Sequence, residues 1–226
     1  MLKMVIFTFI LAITLSILFT PETDVDYSDP ADNIPQISTV QIERAEQLRS
    51  ESERLLDRVH EQHDRQAVHN LSRTYTFSDF NLLTPSGLSA ESLDELTKNT
   101  ELSGLGTAYM EAERETGINA LFLLALSIHE SEWGRSRFAR ERNNIFGFQA
   151  FTHNPANAAY FESKEGSIMK VARHLKDNYL SPDGEHFNGY TVRDVNRAYA
   201  ADPGWSNSIT QIMGRLSDRL EEEFSM

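Results

Sequence analysis

Cysteine is missing from the 226-residue chain. Its absence excludes disulfides, thiolate metal sites and a cysteine nucleophile, but leaves the compartment open. Positive charge is in short supply: 21 Lys and Arg stand against 34 Asp and Glu, a formal net charge of −13. A general nucleic-acid binder is expected to be basic, so that class is set aside. Nor does this balance favour attraction to anionic lipid; its plain effect is a solubilising surface. The chain holds no glycine-rich phosphate loop, nucleophile elbow, internal repeat or low-complexity tract. Its histidines are poorly spaced for a metal. His60, His63 and His69 miss the i, i+4 interval, and His129, with His153 further on, precedes Glu130 without a second helical histidine. Neither a metal nor a cofactor is therefore expected.

What is present centres on residues 118–148. Residues 120–128 are apolar apart from Ser127. A segment hydrophobic on all sides over more than two turns belongs inside a domain, and its Ala and Leu content favours helix over strand. Glu130 follows directly. A carboxyl group where a buried helix ends loses water, its pKa rises, and it becomes able to protonate a leaving oxygen. Gly134 is expected to stop the helix and open the chain toward a cleft. Glu132, about 200° further round the helix, faces away from Glu130.

The motif Glu130-Ser131-x-Trp133-Gly134-x-Ser136, followed by Asn143-Asn144-x-Phe146-Gly147, resembles the glucosaminidase family of peptidoglycan hydrolases. The likeness extends upstream through Leu83-Thr84-Pro85-Ser86-Gly87-Leu88 and Leu105-Gly106, and downstream to Tyr199-Ala200-x-Asp202-Pro203-x-Trp205. Any one of these signatures is weak; their shared order is specific. The resemblance implies a mainly α, lysozyme-like helical domain that cuts the glycan strands of bacterial cell walls, acting at the cell surface or in the wall. Lytic transglycosylases and muramidases share that fold and its single acid. An inactive wall-binding protein and a zinc peptidase are the alternatives from other classes.

Around that centre the chain is read as four parts. Residues 1–21 hold Lys3 and then an uncharged stretch rich in Ile, Leu and Phe. Eighteen residues of helix span about 27 Å, close to a bilayer core of about 30 Å. A cleavable signal peptide and an anchor in the membrane both fit, and the lack of a small-x-small cleavage site favours the anchor. Residues 22–36 are acidic and proline-bearing, a spacer. Residues 37–70 carry Ala45, Leu48, Leu55, Leu56 and Val59 at three-and-four spacing, which predicts a helical stalk. Ser52 on its seam argues against an extended coiled coil.

Residues 71–222 form the catalytic domain, with helices expected from Ser89, before Gly117, over 165–179, from Thr191 and over 209–220. The aromatic runs at Phe148 and Phe151 and at Tyr160 and Phe161, either side of Asn154-Pro155, predict a small β-hairpin.

Glycoside cleavage needs a proton donor and a stabiliser for the positive charge that grows on the sugar. Glu130 is the candidate donor, its bland alternative being a solvated helix-end glutamate. For the second group Glu162 is the first candidate, since it follows the expected hairpin; Asp202 is expected to tie up backbone N–H groups in a turn. The substrate's own 2-acetamido group is a third possibility. The resemblance places Tyr199 in the cleft near Glu130. Asn144, Phe148 and Trp205 are candidate sugar-binding walls, whereas Trp133 and Phe146 read as core. The basic residues of 135–142 suit either a solvated helix face or a contact to glycan peptides.

Overall fold

The computed structural model describes residues 39–74, 77–149 and 158–224. The apolar segment of residues 1–21 and the acidic spacer lie outside them. None of the described helices is long and apolar enough to cross a membrane. The chain divides into two compact units, Met1–Arg58 and Val59–Met226. Helix α1, Thr39–Thr74, carries residues of both. In the first unit Ile42, Leu48 and Leu55 are exposed, and Arg49 Nε meets Glu53 Oε1 at 3.0 Å one turn on. That exposed i, i+4 pair adds at most a few tenths of a kcal/mol to the helix.

The second unit is a helical domain built around one segment. Its elements after α1 are a short 3₁₀ turn, Phe77–Asp79, then α2 (Ala90–Thr97), α3 (Gly106–Thr116), α4 (Ala120–Ser131), α5 (Arg137–Arg142), α6 (Lys164–Asn178), α7 (Val192–Tyr199) and α8 (Trp205–Phe224). Residues 120–128 of α4 are all buried, as their composition requires. Burying each Leu or Phe is worth about 1.5–3 kcal/mol, so this helix is the largest single apolar contribution to the core. Helix α4 packs on α8, and α3 on α6 and α2.

The helix ends follow local chemistry. Ser89 Oγ accepts from Ser92 N at 3.1 Å, and Thr191 with Asp194 forms a capping box. Asn119 Oδ1 accepts from Phe122 N at 3.1 Å to start α4. Two buried carboxylates reinforce such starts. Asp64, within the second unit, accepts from Ser89 N at 3.3 Å and from the Ser92 hydroxyl. Glu113 Oε2 accepts from Ser86 N at 2.9 Å and from Ala120 N at 2.7 Å, which joins the 85–87 turn to the head of the central helix. Negative charge at helix N-termini is favourable there.

Two expectations need correction. Helix α4 is closed not by Gly134 but by Glu132, left-handed at φ 54°, and Trp133 and Gly134 continue left-handed at φ 63° and 82°. Ser131 causes this early stop: its Oγ donates to Ser127 O at 2.6 Å and accepts from Gly134 N at 2.8 Å. Nor is any strand found among the described residues. The tip of the expected hairpin, residues 150–157, lies outside them, but its flanks do not make a ladder. Ala159 N donates to Phe148 O at 3.1 Å, while Phe161 N turns away to Arg142 O at 3.0 Å. The Asn144 side chain takes the place of the next ladder bonds, bridging Phe148 O at 2.9 Å and Ala159 O at 3.1 Å.

Candidate functional site

Where α4 surfaces, a cleft of about 650 Å³ opens, with Glu130 in its lining. The helix that carries Glu130 is buried up to Ile128, so the half-buried carboxyl sits at the boundary between core and cleft. Burial raises its pKa above the ordinary carboxylate value; a hydrogen bond from Trp205 and the nearby His129 pull weakly the other way. The Trp205 bond is specific: its Nε1–H donates to Glu130 Oε1 at 3.0 Å. One carboxyl oxygen is thereby held as an acceptor, which leaves Oε2 as the oxygen to carry a proton.

A run of rings lines the cleft beside Glu130. Tyr199 packs on Trp205 with centroids 4.9 Å apart, and Tyr179 meets Tyr199 edge-on at 5.6 Å. Tyr179 in turn contacts His186 at 5.0 Å and His174 at 5.9 Å, and Phe148 meets His174 at 5.1 Å. Such rings offer flat apolar faces with polar edges, the surface that suits a sugar ring. Burial first, and then the neighbouring Glu130 carboxylate, push the Tyr199 hydroxyl well above the usual phenol range, so it stays a donor. Desolvation holds His174 below the ordinary imidazole value. Asn178 Nδ2 lies 3.1 Å from its Nδ1, which casts that nitrogen as acceptor.

The structure sorts the remaining candidates. Tyr199, Phe148 and Trp205 line the cleft with Glu130. Trp205, however, is only 4% exposed, and its indole holds the acid rather than forming an open sugar platform. Asn144 is a correction. It is fully buried, both amide hydrogens go to backbone carbonyls, and its Oδ1 accepts from Phe148 N at 2.9 Å. It shapes the Phe148 segment and has no donor left for a sugar. Glu162 is another. It is exposed and outside the cleft lining, and its backbone carbonyl accepts at 3.1 Å from Asn143 Nδ2, at the left-handed end of α5. Asp202 is the second carboxylate in the lining. Its Oδ1 accepts from Gly204 N at 2.8 Å, the turn role its motif suggests. Phe146 is buried but also reaches the lining, and Trp133 is half-buried elsewhere.

Four residues of the site escaped sequence reasoning. Tyr179, the residue that closes α6, read as part of that helix's apolar stripe; His174 is half-buried on α6, and His186 lies in a turn. Asn196 was also missed: its Nδ2 donates to Asp202 O at 3.0 Å, and its Oδ1 accepts from Ser206 N at 3.2 Å. It thus fixes the turn that brings Trp205 to Glu130. Among the described residues no group of three or more His, Asp or Glu is arranged to hold a metal ion.

The chain is similar to known proteins in sequence and in fold. The glucosaminidase family model, described as mannosyl-glycoprotein endo-beta-N-acetylglucosaminidase, matches residues 106–218. A Streptococcus pneumoniae (serotype 4, strain TIGR4) protein named "Putative endo-beta-N-acetylglucosaminidase" is 35% identical over 156 residues, covering 66% of this chain and 23% of that protein. The bifunctional autolysin of Staphylococcus epidermidis is 24% identical over 164 residues, covering 61% of this chain and 12% of its own length. The chain therefore spans under a quarter of the length of these curated relatives. In three dimensions it is similar to S. aureus autolysin E, with a TM-score of 0.53 at 20% identity, covering 64% of this chain and 72% of that one. A catalytic mutant of autolysin E in complex with the disaccharide NAG-NAM matches with the same TM-score, 0.53, at 19% identity, over 71% of this chain and 77% of that one.

Proposed function

The chain belongs to the glucosaminidase family, and from that premise we propose that it is a peptidoglycan hydrolase that cleaves the β-1,4 bond on the reducing side of N-acetylglucosamine. The observation that carries this reading is the Glu130 carboxyl, desolvated at the end of α4 and tied through one oxygen to the Trp205 indole. In its protonated form it delivers the Oε2 proton to the departing glycosidic oxygen. The positive charge that grows on the sugar then needs a partner. Glu162 is too exposed for the task and Asp202 is engaged with its own turn. The substrate's 2-acetamido oxygen is left as the internal stabiliser, oriented by the Tyr199 hydroxyl beside Glu130. The ring wall from Tyr199 to Phe148 seats the glycan strand. The relatives' names and the autolysin E complex with a wall disaccharide support a wall glycan as substrate. Action outside the cell, with residues 1–21 as signal or anchor and 37–70 as stalk, completes the proposal.

The test is digestion of purified peptidoglycan, borohydride reduction and mass analysis of the new ends. Reduced N-acetylglucosamine ends are expected, and they should vanish in Glu130→Gln. Anhydro-muramic ends would instead make the chain a lytic transglycosylase, and reduced muramic ends a muramidase. Equal inactivity of wild type and Glu130→Gln, with glycan binding intact, would make it a wall-binding protein; loss of activity with a chelator would point to a peptidase.

A further inference from the structure

The basic segment after Glu130 does not behave as one solvated face. Arg137 pairs with Glu141 at 2.9 Å, and Arg142 donates to Ala158 O and lies over the Phe138 ring. Arg135 separates from them. With Arg219 of α8 it lines a second cavity of about 500 Å³, together with Trp133, Glu101, Thr100 and Asn99. This cavity shares no lining residue with the Glu130 cleft.

Charge makes the cavity unusual in so acidic a chain. Glu101 is its one carboxylate, and that group faces the Lys164 ammonium at 3.9 Å. The two arginines are anchored only by backbone: Arg135 Nε donates to Glu132 O at 3.0 Å, and Arg219 Nη1 to Leu96 O at 3.1 Å. Among the described residues neither pairs with a carboxylate. A guanidinium held by one N–H keeps its other donors in a fixed fork, ready for a planar oxyanion. The cavity wall is also strained. Trp133 adopts φ 63°, costly for so bulky a residue. Close packing enforces the turn: a Cβ on Gly134 would meet the Glu101 Cβ at 2.7 Å. The result is an open recess with a half-buried indole and two exposed cations.

We infer that this recess is an oxyanion site, which binds a carboxylate or phosphate carried beside a sugar or apolar face that stacks on Trp133. From the hydrolase reading it takes only the source of the ligand: a peptide carboxylate on the glycan strand, or the phosphate of an accompanying wall polymer. The full chain, followed by NMR at the Trp133 indole N–H and assigned with Trp133→Phe, is titrated with muramyl dipeptide in one arm and glycerol phosphate in the other. Saturable shifts of the Trp133 signal are expected with at least one probe, and the responding arm identifies the source. The double variant Arg135→Gln/Arg219→Gln should weaken that binding by about tenfold or more. Arg137→Gln, outside the recess, and Glu130→Gln should not, and each variant's melting curve reports its folding. No Trp133 response to either anion, or equal binding by the folded double variant, overturns the inference. Titration that persists in a chain unable to digest peptidoglycan would remove the hydrolase reading and leave the site standing.

Discussion

Replacing Trp205 with Phe isolates the contact on which the catalytic assignment turns. The Phe ring keeps most of the packing on Tyr199, 4.9 Å away, but the N–H that donates to Glu130 Oε1 at 3.0 Å is gone. A hydrogen bond to a charged group contributes about 1.5–3 kcal/mol. Glu130 is half-buried, so the lower end applies. The donor favours the ionised carboxylate; without it the proton is held to higher pH. At about 1.4 kcal/mol per pH unit, the alkaline limb of kcat/KM should move upward by about one unit. The rate at the optimum should fall about tenfold, because the carboxyl loses the tether that aims Oε2.

The assay is release of new reducing ends from purified peptidoglycan across pH 4–9, with thermal melts alongside. Stability offers a second check on sign. At low pH the carboxyl is protonated in both proteins, and the variant should lose only about 1–2 kcal/mol for the smaller ring. As pH rises through the Glu130 titration the gap should widen, since wild type alone stabilises the anion. An alkaline limb that stays put or moves down would refute the role given to this pair. So would a stability gap that narrows with pH.

Four further outcomes follow from the same geometry. Glu130→Gln should cost hydrolysis a factor of about 10²–10⁴. Its relative stability should improve as pH rises above the ordinary carboxyl value, because the raised folded pKa of Glu130 means that ionisation costs wild type stability there; pH-dependent melts check this. Tyr199→Phe keeps its ring contacts with Tyr179 and Trp205, so kcat should fall about tenfold with the melting temperature unchanged. Asn144→Ala should act on the fold: losing three buried bonds costs about 3 kcal/mol, a drop of roughly 10 °C by calorimetry. Glu162→Gln should leave digestion rates within about twofold of wild type, as expected of an exposed surface substitution.

The helical plan was legible because its signals are local. Ser89, Gly117 and Thr191 end or begin helices by bonds that reach no further than four residues, and the stripe Ile209, Met213, Leu216 and Leu220 repeats at helical spacing and is buried. The half-buried position of Glu130 was legible for the same reason: it follows directly on the buried residues 120–128 of its own helix. Position in the chain misled where an aromatic run stood for a strand. Phe148 and Phe161 are not ladder partners; their rings lie 6.4 Å apart and tilted, while Asn144 takes the backbone bonds that a hairpin would have made.

The partner of the acid shows where local reading must stop. Trp205 lies 75 residues from Glu130, and nothing in its own neighbourhood tells a sugar platform from a carboxyl clamp. The distinction arises only when Asn196 folds the turn before α8 back on itself, through Asp202 O and Ser206 N, and seats the indole against α4. Pro203 and Gly204 make that turn possible; Asn196 makes it single. Asn196→Ala should therefore damage catalysis without touching substrate. With its amide gone, the turn loses three bonds, to Ala200 O, Asp202 O and Ser206 N, the indole is no longer held at Glu130, and the pH profile should drift toward that of Trp205→Phe. A profile like wild type, in a variant of lowered melting temperature, would mean that α8 packing alone places the indole and that the turn merely follows.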